Sequence, residues 1–356
     1  MNSAESFRLF DCVDVVVDGN AKWASSFLES IGANRADPST GARLLVEHSP
    51  NLSRGASREL DAGVWIERAS VFDEVTGVRL DRPSEAVLRI CCSAPALEWL
   101  MWGLQLVTLL QGLTLVHAAA VEKDGHCVLF PSWGGVGKTA LVAHLVRKRG
   151  WRLLGDDLVA LTPDGNVFAF PKSMVLYPYH RTVFPEVFAA GHGPVAPTAL
   201  NGLLTSAARS LKPLLRRVPA LLELARKHNP QSTRVSPTEV FGANAVAEQG
   251  RLRTVIWLER LAGAAAPVLD TAADGVGSRI LGSTMNEFDP RCVRLTNVAM
   301  GVGIVSAEEV YERWVEILRG GLERADKHLL YIPAATPVAE VPALVEGTVD
   351  LGVVAL

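Results

Sequence analysis

Lys138 and Thr139 close the run Pro131-Ser-Trp-Gly-Gly-Val-Gly-Lys-Thr139, the stretch of this sequence best suited to hold a phosphate. Lys138 supplies a full positive charge there, and Thr139 a hydroxyl for a magnesium ion. Gly134, Gly135 and Gly137 let the backbone wrap an anion without Cβ clashes. Ser132 stands where the pattern G-x-x-x-x-G-K-[ST] has its first glycine, a change that a turn of negative φ tolerates. The residues expected to contact a nucleotide are therefore Ser132, Trp133, Gly134, Gly135, Val136, Gly137, Lys138 and Thr139. Further along, Asp156 and Asp157 form an adjacent carboxylate pair. Acidic groups at a strand end are costly unless they hold a metal or meet donors. Neighbouring strand side chains face opposite ways, so one could bind Mg²⁺ while the other meets a substrate hydroxyl. The plainer alternatives are a glycine-rich hairpin turn and an Asp-Asp turn.

The elements that must position these groups are visible around them. His126 to Phe130 is an apolar run that reads as a buried strand entering the loop. Ala140 to Arg149 follows with apolar residues at 141, 142, 145 and 146, a helical spacing. A helix beginning at the loop aims its N–H groups and dipole at one concavity. Leu113 to Val121 is a second apolar strand, joined to the first by Asp124-Gly125, a hairpin signal. It brings His117 close to the loop, although a lone histidine on an apolar strand is more often structural. Trp151 to Leu161 holds two short strands that meet at Asp156 and Asp157.

With 356 residues and a net charge of −3, the chain can bury a sizeable core and gives no case for nucleic-acid binding. Its five cysteines include no C-x-x-C spacing, which points to thiols in a reducing, cytoplasmic compartment. The first residues, Met-Asn-Ser-Ala-Glu-Ser, carry no basic and apolar signal pattern. Ala94 to Val116 is very apolar, but placing Glu98 in lipid would cost about 2.5 kcal/mol or more. A buried helix over about 94–111, ended by Gly112, is expected instead, with no membrane partner.

The Val116-His117 element, the glycine-rich loop and the run Arg149-Gly-Trp-Arg-Leu-Leu-Gly-Asp-Asp157 occur here in order. Together they resemble the kinase domain of HPr kinase/phosphorylase and its relatives, which share a nucleotide-binding core with phosphoenolpyruvate carboxykinase. The resemblance spans roughly 113–180 and extends to Pro171-Lys-Ser-Met-Val-Leu176, where Lys172 would approach a phosphate. It implies an α/β P-loop kinase core using ATP and Mg²⁺, and often a homo-oligomer. It further implies Lys138 on the β/γ-phosphates, Thr139 and Asp157 on the metal, and Asp156 as general base with His117 in support. The implied reaction is phosphorylation of a hydroxyl, foremost a serine in a peptide or protein. A small-molecule alcohol is the alternative acceptor, and a nucleotide-binding regulator without turnover the alternative class. The family's downstream glycine- and arginine-containing signature has no clear counterpart here.

The remaining chain divides by composition. Residues 1–92 read as an α+β subdomain, with strands at Asp14–Asp18 and Ala86–Cys92, a helix at Ala21–Ile31 and a surface loop within Asp37–Arg58. The kinase core is expected over 93–190 and 251–333, interrupted by a helical insertion at 191–250 with helices at Thr198–Arg209 and Leu211–His228, and followed by a tail at 334–356 in which Pro337–Pro342 leads to one short helix. From Asn201 to Val235 the insertion has seven basic residues against one acid. These make either a solvated helix face or a lid, with Arg209, Arg216 and Arg217 as candidate substrate contacts. Later elements are expected as a strand at Leu252–Arg260, a helix from Ser278, a strand at Cys292–Val302, a helix at Ala307–Arg324 and a strand at Lys327–Pro333.

Overall fold

Valines at 13, 15 and 17 alternate with polar or partly covered residues, and this period of two makes a strand with one face buried. The computed structural model describes residues 4–37, 41–53, 58–61, 63–67, 69–189, 232–271 and 274–351. The first unit contains β1 (Glu5–Leu9), β2 (Val13–Val17), α1 (Lys22–Ser30), β3 (Asn34–Arg35), β4 (Arg43–His48), β5 (Arg58–Asp61), β6 (Val64–Glu67), β7 (Ser70–Asp73), β8 (Val78–Ser84) and β9 (Val87–Cys92). Its strands form one sheet in the order β3-β1-β2-β4-β9-β8-β7-β6-β5, parallel only at β2–β4 and β4–β9. The region read as holding a surface loop also contains β4, a central strand. Ser, Arg and Gly on both sides hide a six-residue segment whose Leu44 and Val46 are buried.

The apolar stretch after β9 is helix α2 (Leu97–Leu110), ended before Gly112 in the left-handed region. It packs against β4 and β9 on one side and β10 (Thr114–Lys123) on the other. Gln105, fully buried, donates to Thr114 Oγ1 at 2.9 Å and accepts from the Leu115 N–H at 2.9 Å. Both ends of its amide are thus satisfied inside the protein. Among the described residues no helix is long and apolar enough to cross a membrane.

β10 is buried along almost its whole length, as a continuous apolar run requires. It turns through Asp124 and Gly125, both at positive φ, into β11 (His126–Pro131). The glycine-rich loop and α3 (Lys138–Arg149) follow, then β12 (Arg152–Gly155), β13 (Leu158–Leu161), β14 (Asn166–Phe168) and β15 (Met174–Leu176). After α4 (Pro185–Ala189) come β16 (Thr233–Val235), α5 (Pro237–Phe241), β17 (Gln249–Leu261) and β18 (Val268–Asp270). The chain ends in α6 (Val276–Glu287), α7 (Pro290–Gly301), α8 (Arg313–Leu322), β19 (Asp326–Pro333) and α9 (Val341–Thr348). The second sheet runs β11-β10-β13-β14-β17-β19-β18, and β11 also pairs with β17, closing a circuit of strands. The fold is mixed α/β.

One expectation changes. Cys292–Val302 is not a strand but most of α7: Cys292, Leu295, Thr296 and Ala299 are buried at helical spacing, and Asp289 caps the N–H of Arg291 ahead of Pro290. The short helix expected in the tail is α9, whose Val341 and Val345 are fully buried with Val136, Leu141, Ile256 and Leu330. Within the expected insertion, β16 pairs with β15, and Ser236 caps α5 in a reciprocal box with Glu239. Arg209, Arg216 and Arg217, with the two expected helices around them, lie outside the described residues.

Candidate functional site

Helix α3 starts from Gly137, whose φ of 118° is open to glycine and strained for other residues. A Cβ there would also stand 3.0 Å from Val341 Cγ2, so α9 approaches the loop closely enough that the valine would have to shift. No side chain caps α3, and its first-turn N–H groups are left for a ligand or solvent. Arg260 at the end of β17 steadies the loop from behind. It donates to the Val136 carbonyl at 3.1 Å and to the Ala334 carbonyl at 3.1 Å.

Gly134 to Thr139 form one wall of a cleft of about 300 Å³. Asp156, Asp157, Lys172, His117 and Glu287 also line it, together with Tyr177 and Tyr179, whose rings stack at 5.5 Å. Ser132 and Trp133 do not line it. Ser132 is fully buried, and its hydroxyl accepts from Lys138 Nζ at 3.0 Å. The residue that departs from glycine therefore holds the lysine. Trp133 packs edge-on against Trp257 with centroids 6.0 Å apart.

The carboxylates have partners opposite to those the resemblance implied. Thr139 Oγ1 donates to Asp156 Oδ2 at 3.1 Å, whereas Asp157 lies 2.7 Å from Lys172 Nζ and 3.5 Å from His117 Nε2. Both carboxylates sit in the bend between β12, which ends at Gly155, and β13, which begins at Leu158, the residue that pairs with His117 on β10. From that bend Asp157 reaches the histidine. Asp156, one step earlier, is left at the head of α3.

Their electrostatics differ as well. Burial and the neighbouring Asp157 charge push the Asp156 carboxyl up to about 6, against the Thr139 hydrogen bond and Lys138. Its Oδ1 is buried with no hydrogen-bond partner among the described residues. Burial acts on Asp157 in the same direction but is outweighed by Lys172 and His117, which hold it well below the usual carboxylate range. Asp157 is 42% exposed, so water screens part of that pull. Burial lowers the pKa of Lys138, while Asp157, Asp156 and Glu287 oppose the shift.

His117 is 3% exposed and stands between Lys138 Nζ, 3.3 Å from Nε2, and Glu287 Oε1, 3.4 Å from Nδ1. His117, Asp157 and Glu287 bring possible ligand atoms within 4.8 Å of one another. Two ammonium groups already lie against this trio, Lys138 on the histidine and Lys172 on Asp157, and they oppose a further cation there.

Glu287, Tyr177, Tyr179, Arg260 and Val341 were not singled out from the sequence. No local signal marks Glu287, which closes α6 far along the chain from His117. The aromatic cluster Tyr177-Pro-Tyr-His180 beyond the Lys172 segment was the one available hint.

No protein-family model matches this sequence, and no curated protein matches it. A solved structure, the Hpr(Ser) kinase/phosphatase from Coxiella burnetii, is similar over 53% of this chain and 99% of its own, with 14% identity and a TM-score of 0.24. That is a remote relationship at most, and it decides neither the reaction nor the residues that perform it.

Proposed function

We propose that the cleft is the phosphoryl-transfer site of an ATP-dependent kinase acting on a hydroxyl, either a serine in a peptide or protein or the alcohol of a small molecule. The observation that carries this reading is the convergence of a glycine-rich helix start, a lysine and two carboxylates of opposite electrostatic character on one cavity. Phosphoryl transfer needs positioning and charge neutralisation more than covalent chemistry.

In this reading Gly134 to Thr139 cradle the phosphates with backbone N–H groups, and Lys138 leaves Ser132 to meet the β/γ-oxygens. Magnesium fits Asp156 and Thr139: both offer oxygen, and the buried Asp156 Oδ1 lacks a partner. The ion would neutralise phosphate charge when bound. Asp157, kept ionised by Lys172, then takes the proton of the acceptor hydroxyl. The roles are the reverse of those the resemblance implied for the two aspartates.

Calorimetric titration with a non-hydrolysable ATP analogue, with and without Mg²⁺, tests the site against a Lys138→Ala control. Magnesium-dependent binding that the substitution abolishes is the expected result. A wild-type protein that binds no nucleotide would refute the reading.

A further inference from the structure

The wall of Asp157, Lys172 and Glu287 has a second cavity behind it. This cavity, about 330 Å³, shares those three residues and Ser173 and Val175 with the first cleft, and other lining residues come from the N-terminal unit and α2. Asp157 faces both cavities, whereas Asp156 lines only the first. A molecule in the second cavity would thus meet the carboxylate that the kinase reading uses as base.

We propose that this second cavity receives the phosphoryl acceptor, and that the acceptor carries its hydroxyl beside a protonated amine and an apolar arm. The claim rests on the kinase reading and adds the substrate class. Phe27 of α1, Leu97 and Met101 of α2, and Phe288 give the cavity its apolar surface. Its charged lining is Asp157, Glu287, Glu98 and Asp289 against Lys172 and Arg234, an excess of acid. Lys172 is committed to Asp157 at 2.7 Å, and Asp289 caps α7 while lying 3.4 Å from Arg291. Glu98 has no cation within ion-pair distance among the described residues, and Glu287 has only the histidine. An anionic acceptor is repelled by this set and a cationic one attracted.

The volume lies at the low end of ligand cavities, enough for one residue-sized group. A small amino alcohol and a serine beside a lysine in a peptide share the required chemistry. In the reaction the bond from the γ-phosphorus to the β,γ-bridging oxygen breaks and a bond to the acceptor oxygen forms. The hydroxyl proton passes to Asp157 and on to water, leaving ADP and a phosphate monoester.

The test uses two matched probe pairs, L-leucinol with N-acetyl-L-leucinol and Ac-Leu-Ser-Lys-NH₂ with Ac-Leu-Ser-Glu-NH₂. Each is titrated into the full chain saturated with Mg²⁺ and a non-hydrolysable ATP analogue. The cationic member of at least one pair should bind about two- to fivefold tighter, the scale of one solvent-exposed ion pair at Glu98. Glu98→Gln should remove most of that preference and Glu98→Lys reverse it, with circular dichroism confirming that both variants fold. A preference confined to leucinol identifies a small-molecule source, and one confined to the peptides a peptide source. Equal affinities within both pairs, no binding of any probe, or a preference that survives Glu98→Lys overturns the proposal. Nucleotide binding, measured first, separates the two claims: a protein that binds the analogue but ignores probe charge loses only the acceptor assignment. One that binds no nucleotide loses the kinase reading and the acceptor claim with it.

Discussion

Replacing Asp156 with asparagine should remove a magnesium ligand and, at neutral pH, relieve the fold of a charge it bears at a cost. The folded Asp156 carboxyl titrates at about 6, against 3.8 for an unperturbed one. The sign follows from linkage: below the unfolded value the group is neutral in both states and costs nothing. As pH rises through about 6 the folded protein must carry a buried anion that the unfolded chain carries freely. The difference is roughly two pK units, and at about 1.4 kcal/mol per unit the penalty reaches about 3 kcal/mol once pH exceeds the folded value. Asparagine has the same shape and can keep an acceptor oxygen toward Thr139, but it does not titrate. Any fixed cost of its buried amide is the same at all pH values and cancels in a comparison across pH.

The assay is urea unfolding of wild type and Asp156→Asn without magnesium at about pH 4 and pH 8, followed by tryptophan fluorescence. The stability of the variant relative to wild type should improve between the two conditions by up to about 3 kcal/mol. Adding Mg²⁺ at pH 8 should stabilise wild type and leave the variant unchanged, because an ion held at Asp156 offsets the same charge. A relative stability that does not change with pH, or an equal response of both proteins to Mg²⁺, would refute the argument that Asp156 is a strained carboxylate awaiting a cation.

Three other substitutions probe the remaining parts. Asp157→Asn should lower phosphoryl transfer by about 10²- to 10⁴-fold while Mg²⁺-nucleotide affinity holds, measured by phosphate transfer beside calorimetry; unchanged turnover would remove Asp157 from the role of base. Lys172→Met takes away the cation that keeps Asp157 ionised, so the acid limb of the pH–rate profile should move to higher pH, and a limb that stays in place contradicts the pairing. Gly137→Ala combines a left-handed backbone with a 3.0 Å approach to Val341. It should cost about 2–4 kcal/mol of stability and weaken nucleotide binding, and Gly134→Ala, at a position with open space, should cost far less.

What could be read from the chain was whatever neighbouring residues decide among themselves. The Asp124-Gly125 turn needs only its own positive φ values, and α2 was legible because Gly112 stops a long apolar run. The strand, loop and helix from His126 to Arg149 likewise declare themselves by local spacing. Cys292–Val302, expected as a strand, does contain the β-branched residues Val293, Thr296, Val298 and Val302. The Asp289-Pro290 cap was the better local signal, and packing against the core then selected the helix. Long-range contacts lay beyond any such reading. Val341 crowds the place a Cβ would take at Gly137, Arg260 holds the loop carbonyl, and Glu287 meets His117, each across a large separation in sequence. The aspartate pair shows the boundary most clearly. Their presence at a strand junction is local information, but their proposed roles depend on which of them the bend between β12 and β13 turns toward His117 and which toward Thr139. That bend is held by the strands on either side of it and by α3, so which carboxylate meets Thr139 and which meets His117 is a property of the packed fold rather than of the motif.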